Sequence, residues 1–437
     1  MPHSSIVHDL RSAHSADALL TGAPLPTLLY FALPIILGNI FQQLYSIVDA
    51  IVVGNFLGDL PLSGISVASP IVDVANALVI GGTIGVGVLC AHYCGAGEGE
   101  RLRCMNATAL LGGGALTLLI ALCGIFFSTP LLRAQGTEEA VCREAAVYLQ
   151  LVFAGLLFCF LYNYYAAMLR SCGNSRTPFL ILLLSSTLHA LLDVLFVGVF
   201  GWGIRGVAFS TVLCQALAAA ACILYAQRRC PPLLLRPANL RFDRQMARLV
   251  LSYAWAAALQ QAVVCIGRLL VQGMLTPLGT STVTGYNMSL RTEQFLFCFS
   301  QGISAAMVVC LSQNLGHGDR PRARRFFRIS VLVELALIAL LGTVCFLFPA
   351  RIVGLFSDNA DVIAAGAQYT GAMAYLYVFA YLGEVIQGFF RGLGRLRLTM
   401  VASLLQVLLR VVLSYLLIPV WGMYGICAAV VSGWVLL

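Results

Sequence analysis

Apolar and polar positions along this chain alternate in long blocks. Twelve apolar stretches are separated by short polar segments, and they lie near residues 28–53, 62–91, 105–128, 146–169, 178–199, 204–226, 249–275, 282–312, 329–348, 363–390, 398–418 and 421–437. A helix needs roughly 20 apolar residues to cross a hydrocarbon layer about 30 Å thick. Because these stretches are too long for barrel strands and do not alternate with a two-residue period, they predict an all-α polytopic membrane protein with twelve transmembrane helices.

The two ends of the chain depart from this pattern. Residues 1–24 are polar and lack the order of basic, apolar and small residues of a secretory signal, so we expect a cytoplasmic N-terminal tail. The last apolar stretch, 421–437, is short and no polar residue follows it. We expect that it spans the membrane only marginally or that the chain is truncated there.

The second half of the chain repeats the first. Glycines and arginines recur 221 positions later in the pairs Gly58/Gly279, Gly64/Gly285, Gly81/Gly302, Gly95/Gly316, Gly97/Gly318, Arg101/Arg322, Arg103/Arg324, Arg170/Arg391, Gly173/Gly394 and Arg176/Arg397. Internal repeats are how secondary transporters build two lobes around a central site. Six spans per half give both halves the same orientation. The repeat therefore predicts two six-helix lobes, 25–227 and 249–437, related by an axis along the membrane normal and joined by a basic cytoplasmic connector, 228–248.

The net charge of +8 comes from arginine on one side of the predicted membrane. All 26 basic residues are Arg, and 18 of them lie in or beside the loops that follow the even-numbered spans. The positive-inside rule places these loops and both termini in the cytoplasm, which predicts a multi-pass protein of the bacterial cytoplasmic membrane. With 60% apolar and 10% charged residues, the chain is not an ordinary soluble domain. The arginines therefore set the topology and do not form a nucleic-acid surface.

The sequence contains no pattern typical of an enzyme or of a resident metal. Its 15 Cys are scattered, mostly inside the spans, without a CxxC pair. We interpret them as small apolar packing residues, not as metal ligands or disulfides. Neither HExxH nor GxSxG occurs. We therefore expect neither enzymatic activity nor a cofactor.

Titratable side chains inside the spans predict a functional cluster in the N-lobe, because charge in hydrocarbon is costly. Asp49 lies deep in the first span, and His189 and Asp193 lie one helical turn apart in the fifth. No basic residue occurs in the predicted cores of the first six spans. Two carboxylates in a low-dielectric interior cannot both stay ionised at little cost, so we expect one of them to take up a proton.

The C-lobe carries a different set of charges, in which Glu384 and Arg410 could either serve a substrate or neutralise each other. We expect a central cleft between the first, second, seventh and eighth spans. Amide, aromatic and charged side chains would line it: Gln42, Gln43, Tyr45, Tyr162, Asn163, Tyr164, Gln260, Gln261, Glu293, Glu384 and Arg410. This set favours amphipathic organic cations through cation–π and hydrogen-bond contacts, whereas Arg268, Arg291 and Arg410 could instead favour anions.

Four motifs resemble a known transporter family. They are Asn39-Ile-Phe-Gln42-Gln43-Leu-Tyr45-Ser-Ile-Val48-Asp49-Ala-Ile-Val-Val53-Gly54, Leu169-Arg170-x-x-Gly173-Asn-Ser-Arg-Thr177-Pro178, Gln313-Asn314-Leu-Gly316 and Arg391-Gly-Leu-Gly394. Together, over residues 25–437, they resemble the multidrug and toxic compound extrusion (MATE) family, in the branch of the DNA-damage-inducible F proteins. The resemblance implies a V-shaped antiporter that exports organic cations in exchange for inward sodium or protons. It also implies a coupling-ion site formed by Asp49, His189, Asp193 and Thr211.

The coupling ion and the substrate stay open at the level of the sequence. The family branch has Asn where this chain has His189, and imidazole is a softer ligand for sodium than an amide oxygen, which favours H+ over Na+. The alternative function is a flippase for lipid-linked oligosaccharides or other lipids, from the same superfamily. We expect small organic cations and the lipid bilayer as partners, no nucleic acid, and a monomer.

Overall fold

The computed structural model of the protein describes residues 14–234, 243–275 and 279–437. Within these ranges the regular elements are helices, and no β-strand occurs. The predicted N-terminal tail up to residue 13 and the middle of the predicted connector, 235–242, lie outside the described residues. The all-α polytopic architecture predicted from the apolar stretches is confirmed.

The first half consists of a short N-terminal helix and six long ones. They are α1 (His14–Thr21), α2 (Pro24–Phe56), α3 (Asp59–Ala96), α4 (Gly99–Ala134), α5 (Glu139–Ser171), α6 (Arg176–Asp193) and α7 (Ile204–Arg229). A π-helical turn, Val194–Val199, extends α6, and a 3₁₀ turn, Pro231–Leu233, follows α7. Pro24 suits the start of α2 because the first N–H groups of a helix have no partner within it.

The second half repeats this order, except that one predicted span is divided into two helices and a short extra helix precedes it. Its helices are α8 (Arg244–Gly273), α9 (Thr280–His317), α10 (Arg320–Leu347), α11 (Pro349–Gly354), α12 (Ala360–Met373), α13 (Tyr377–Gly392), α14 (Leu396–Trp421) and α15 (Met423–Leu436). The tenth predicted span is divided into α12 and α13, which are bent by 58° at the break. Asp243 caps α8 by accepting a 2.7 Å hydrogen bond from the backbone N–H of Met246.

Ten of the described helices are long and apolar enough to cross a membrane. The bent pair of α12 and α13 supplies an eleventh crossing if it counts as one span. The 14-residue α15 is shorter and stands in the position of the twelfth predicted span. The order of the helices therefore follows the order of the predicted spans.

Matching glycines of the two halves adopt matching backbone conformations. Gly97 and Gly318 end α3 and α9 with φ angles of 70° and 89°, and Gly58 and Gly279 precede the same two helices with 74° and 92°. Only glycine adopts positive φ at little cost. The 221-residue sequence repeat is therefore also a repeat of backbone turns.

Each half has its own apolar core. In the first half, α3, α4 and α5 contribute buried side chains such as Leu89, Leu102 and Leu156. In the second half, Tyr381 of α13 and Trp434 of α15 belong to a separate cluster. Because lipid is as apolar as these side chains, close van der Waals packing holds such helices together, with little help from the hydrophobic effect.

The two halves meet where glycines of α3 face the backbone of α8. A Cβ atom on Gly81 would lie 2.6 Å from the carbonyl oxygen of Ala257, and one on Gly85 would overlap the carbonyl of Tyr253. Only residues without a side chain allow two helix backbones to approach this closely. The glycines of α3 therefore determine how tightly the halves can close.

Close packing between the halves extends to the ends of α3 and α9. Gly95 lies against the backbone of Gln313, and its repeat partner Gly316 lies against the backbone of His92. The side-chain amide of Gln313 donates a 2.6 Å hydrogen bond to the carbonyl oxygen of Ser171 at the end of α5. These contacts adjoin the arginine-rich loops, so the halves are packed together at the end predicted to face the cytoplasm.

Candidate functional site

The end of α6 carries two residues of the predicted coupling-ion site. His189 and Asp193 are 4% and 0% exposed. Asp193 is the last residue of α6, and the π-helical turn Val194–Val199 follows it directly. Single π-helical turns within helices are rare and occur frequently at functional sites. The helix geometry therefore changes at the buried carboxylate.

The side chains around Asp193 form one connected polar cluster. Nδ1 of His189 lies 2.8 Å from Oδ2 of Asp193, as their spacing of four residues predicts. Ser210 on α7 donates a hydrogen bond to Oδ1 of Asp193, and Oγ1 of Thr211 lies 2.9 Å from Nε2 of His189. The Tyr45 hydroxyl on α2 contacts Nδ1 of His189 and lies 3.1 Å from Nε2, and its ring is edge-on to the imidazole. Three helices thus meet at this cluster.

The hydrogen-bond directions indicate where protons reside. The Thr211 hydroxyl donates to the carbonyl of Val207 at 2.8 Å, so its oxygen can accept from an Nε2–H of His189. Nδ1 of the neutral ring then carries a lone pair, as does Oδ2 of the ionised Asp193. Because two lone pairs 2.8 Å apart repel, a hydrogen lies between these atoms. It is supplied either by an added proton or by the other ring tautomer, in which Nδ1–H donates to Oδ2 and Nε2 accepts from the Tyr45 hydroxyl.

That proton is not held by a well-directed hydrogen bond. Oδ2 of Asp193 has no partner with good hydrogen-bond geometry among the described residues, although Nδ1 of His189 is near. With one added proton the cluster would be neutral, whereas a neutral imidazole beside a carboxylate carries one buried negative charge in either tautomer, which is costly in a low dielectric. The Ser210 and Thr211 hydroxyls could also offer hard oxygen ligands to a small cation. The arrangement can therefore exchange a proton or a small cation.

Asp49 is the remaining residue of the predicted coupling-ion site. It lies on α2, one turn after Tyr45, but the side chains of residues 48–50 lie outside the described part of the structure. Its part in the site stays a prediction.

The residues predicted to line a central cleft have different degrees of exposure. Gln42 is exposed, and so are Arg268 and Arg291, two of the three arginines that could favour anions. The half-buried ones are Gln43, Tyr45, Tyr162, Asn163, Gln261, Glu384 and Arg410. The amide of Asn163 donates to the carbonyl of Cys159 within its own helix at 2.9 Å. Gln42 is thus the most accessible of the predicted amides.

Two of the predicted cleft residues are instead buried in hydrogen-bonded cores. Tyr164 is 1% exposed and donates a 2.7 Å hydrogen bond to Oδ1 of Asn106 on α4. Gln260 is 6% exposed and donates to Oε1 of Gln387 at 2.6 Å and to Oγ of Ser403 at 3.0 Å. These side chains bind helices of one half to each other, because a polar group in a membrane bundle needs a partner within the bundle.

Glu293 on α9 is buried among tyrosines of the second half. Its Oε2 accepts long hydrogen bonds from Tyr377 at 3.4 Å and Tyr369 at 3.5 Å. The ring of Tyr286 packs edge-on against Tyr369 with 5.1 Å between the centroids, and Arg410 donates to the Tyr286 hydroxyl at 3.5 Å. A carboxylate, three phenols and one guanidinium therefore share a single cluster.

Glu384 on α13 forms an ion pair with Arg391, two turns later on the same helix. Arg391 also donates to Oγ of Ser304 on α9 at 3.4 Å. The expectation that Glu384 and Arg410 neutralise each other is wrong, because Arg391 is the partner of Glu384. This pair connects α13 to α9 near the arginine-rich end, away from the tyrosines around Glu293.

Ser210 lies in the site although no pattern in the sequence predicted it, and Tyr45, which was predicted to line the cleft, contacts His189 instead. Tyr45 lies four residues before Asp49, and this spacing could have placed it beside the coupling-ion site. No comparable signal exists for Ser210, because neighbouring residues on a helix point in directions about 100° apart and Thr211 already faces the site. Both hydroxyls reach the cluster because the start of α7 packs against the end of α6.

Comparisons with known proteins match both halves of the chain. A family model described as MatE matches residues 34–195 and 256–416. The probable multidrug resistance protein YpnP of Bacillus subtilis is 28% identical over 387 residues, which cover 88% of this chain and 86% of YpnP. The FAD transporter of Shewanella oneidensis is 26% identical over 355 residues, or 79% of this chain and 77% of that protein. A solved MOP superfamily transporter from Pyrococcus furiosus shares the fold, with a TM-score of 0.87 at 19% identity. The match covers 96% of this chain and 94% of that chain, and the binding pocket of that transporter is described as having reverse polarity. The chain belongs to the MatE family.

Proposed function

We propose that the chain is a secondary active antiporter that exports amphipathic organic cations from a bacterial cell in exchange for protons. The observation that carries this proposal is the buried contact of 2.8 Å between Nδ1 of His189 and Oδ2 of Asp193, two titratable groups that together can take up and release a proton. Membership of the MatE family supports transport over enzymatic activity. The multidrug resistance named for YpnP supports export of small molecules.

Proton exchange at this cluster is the proposed source of the driving force. The cluster joins α2, α6 and α7 through Tyr45, His189 and Thr211. A ligand drives a conformational change only if its affinity differs between the two states. The proton favours one arrangement of α2 against α6 and α7, because it removes a buried charge, and the exported cation favours the other.

The route of the substrate follows from where the halves touch. Gly81 and Gly85 of α3 pack on α8 just past the middle of α3, on the side of its arginine-rich end. Nearer the middle of the helices, Asn39 of α2 donates a 3.4 Å hydrogen bond to the carbonyl of Cys298 on α9, and Gln42, one turn further along α2, is exposed. We infer from these contacts that the substrate cleft begins beyond Asn39 and opens away from the cytoplasm.

Organic cations suit the polar groups that the second half can present. Glu293 provides a carboxylate, and Tyr286, Tyr369 and Tyr377 surround it with aromatic rings. Cations bind to such rings through the ring quadrupole, and a nearby carboxylate adds charge attraction. Glu293 becomes a contact for the cation when the cleft rearranges and the long hydrogen bonds from the tyrosines are released.

The proposal is tested with purified protein in liposomes that report uptake of a fluorescent cation. An imposed pH gradient, acidic inside, is expected to drive uptake of the dye, whereas a sodium gradient at fixed pH is not. His189→Asn, which places an amide oxygen where the imidazole lies, is expected to make a sodium gradient effective. Uptake by the unchanged protein under a sodium gradient alone would contradict proton coupling.

The second candidate is a flippase or carrier for lipid-linked or phosphate-containing substrates. Arg268, Arg291 and Arg410 support it, as does the similarity to a protein named as an FAD transporter. The same liposomes with a fluorescent lipid-linked phosphate in place of the dye separate the two candidates. Movement of the lipid and no movement of the dye would favour this second function.

Topology is part of the proposal. We place both termini and the arginine-rich loops in the cytoplasm of a bacterial cell. A cysteine introduced by Arg229→Cys, at the exposed end of α7, is expected to resist a membrane-impermeant maleimide in intact cells and to react after the cells are opened. Labelling in intact cells would show that the end of α7 faces outward, opposite to the proposed orientation.

A further inference from the structure

Three cysteine thiols meet at the arginine-rich end of the first half. Cys90 and Cys94 lie one turn apart near the end of α3, and Cys172 follows the last residue of α5. All three sulfur atoms lie within 4.8 Å of one another, and the sulfurs of Cys94 and Cys172 are 3.3 Å apart. Every Cys was predicted to be a packing residue, and only the packing of α3 against the end of α5 brings these three thiols together.

The spacing of the sulfur atoms resembles that of a metal site. With metal–sulfur bonds of about 2.3 Å, a planar three-sulfur site places its ligands about 4 Å apart. Small side-chain rotations would bring Cys90, Cys94 and Cys172 to this distance, since their sulfurs already lie within 4.8 Å. In the described part of the chain, the group contains sulfur ligands only. A ligand set of this kind selects soft metal ions.

The number of ligands distinguishes among soft metals. Structural zinc sites are closed by four ligands in a tetrahedron, whereas this group supplies three. Soft thiolates also select copper in its monovalent state, for which three sulfurs form a complete shell. We propose that Cys90, Cys94 and Cys172 form a binding site for a thiophilic monovalent cation of the Cu(I) class.

The surroundings permit entry of an ion and keep the thiols reduced. Cys90 is fully buried in the core of the first half, while Cys94 and Cys172 are half-buried. The adjoining loops carry the arginine excess that predicts the cytoplasmic side, where thiols stay reduced and disulfides are rare. An ion therefore reaches the site through Cys94 and Cys172.

The site adjoins the contact between the two halves. Cys172 follows Ser171, whose carbonyl oxygen accepts the 2.6 Å hydrogen bond from Gln313. Gly95, the neighbour of Cys94, lies against the backbone of the same Gln313. A bound ion would connect α3 to the end of α5 directly beside this contact, and it would stabilise the folded protein because it binds the folded chain.

The test is a titration of the full-length purified protein with Cu(I) under ascorbate, against the chromophoric chelator bicinchoninate. The unchanged chain is expected to take one ion from the chelator and to unfold at a higher temperature with the ion bound. The double variant C94S/C172S is expected to lose affinity by at least about 100-fold, because two of three ligands are removed. The matched control C104S/C123S removes two thiols elsewhere in the chain and is expected to bind normally.

Equal binding by C94S/C172S and the unchanged chain would overturn the proposal, as would failure of the unchanged chain to compete with the chelator. If the double variant does not fold, the single variant Cys172→Ser, at a half-buried position, replaces it. X-ray absorption of the loaded protein is expected to show a shell of three sulfurs. Stronger binding of Zn²⁺ with a shell of four ligands would overturn the assignment to a monovalent ion.

Discussion

The two halves share a backbone repeat, but their buried carboxylates have different partners. In the first half, Asp193 is fully buried beside His189, and no arginine pairs with it among the described residues. In the second half, Glu384 is paired with Arg391, and Glu293 belongs to a cluster that includes an arginine. A fixed positive partner favours the ionised form of a carboxylate and so opposes proton uptake, whereas no arginine acts on Asp193 in this way among the described residues. This difference supports the proposal that coupling belongs to the first half and substrate contact to the second.

The largest expected effect comes from removing the titratable carboxylate of the first half. Asp193→Asn keeps the shape of the side chain and its contact with Ser210 but cannot exchange a proton. We expect dye export from a pump-deficient host to fall at least tenfold, or about 1.4 kcal/mol, with normal protein levels in the membrane. Glu384→Gln is the matched control in the second half, and export should persist in it. Equal loss in both variants would erase the distinction between the halves.

The contact between the halves gives the next largest effect. A Cβ on Gly81 would lie 2.6 Å from the carbonyl oxygen of Ala257, whereas a Cβ on the adjacent Gly82 meets no atom within 4 Å. We expect Gly81→Ala to slow export roughly fivefold, a bias of about 1 kcal/mol against the closed arrangement. Gly82→Ala should have almost no effect. Similar rates for the two variants would show that closure at α8 does not limit transport.

The ion pair of the second half should affect stability more than transport. Arg391→Gln leaves Glu384 without its partner in a mostly buried place, and we expect this to cost about 1–3 kcal/mol of unfolding free energy. The double variant E384Q/R391Q should regain part of that loss, which a double-mutant cycle of thermal unfolding in detergent would measure. Additive losses would mean that the two side chains do not interact.

The smallest effect is expected at the ion pair of Arg133 and Glu139. These side chains are 2.8 Å apart at the end of the molecule remote from the arginine-rich loops, and both are 61% exposed. Exposed pairs contribute little because water and salt screen them. Glu139→Gln should therefore leave the unfolding temperature and the export rate unchanged within error, and a clear fall in either would point to a role for this loop.

Much of the fold follows from local patterns in the sequence. The apolar stretches gave the order of the helices, and glycine pairs such as Gly97 and Gly318 revealed the repeat because positive φ is a local requirement. The break between α12 and α13 gave no such signal, since the apolar stretch 363–390 runs through it.

From spacing alone, the candidate site could be predicted only where one helix supplies both partners, whereas Thr211 on α7 came from the family resemblance. His189 and Asp193 were paired by their spacing of four residues, whereas Ser210 and Tyr45 reach them from other helices. Cys172 joins Cys90 and Cys94 for the same reason. Contacts between distant segments depend on how the helices pack, and a single sequence contains no periodic trace of them.

The central claim is that the His189–Asp193 cluster exchanges the coupling proton for the cation. Its most direct test is the release of protons when a probe cation, tetraphenylphosphonium, binds to the purified protein in weakly buffered detergent solution. The unchanged protein should release about one proton per bound cation, because the coupling between two ligands is reciprocal, and Asp193→Asn should release none while still binding the probe. Binding of the cation without proton release by the unchanged protein, or equal release by Asp193→Asn, would contradict the account.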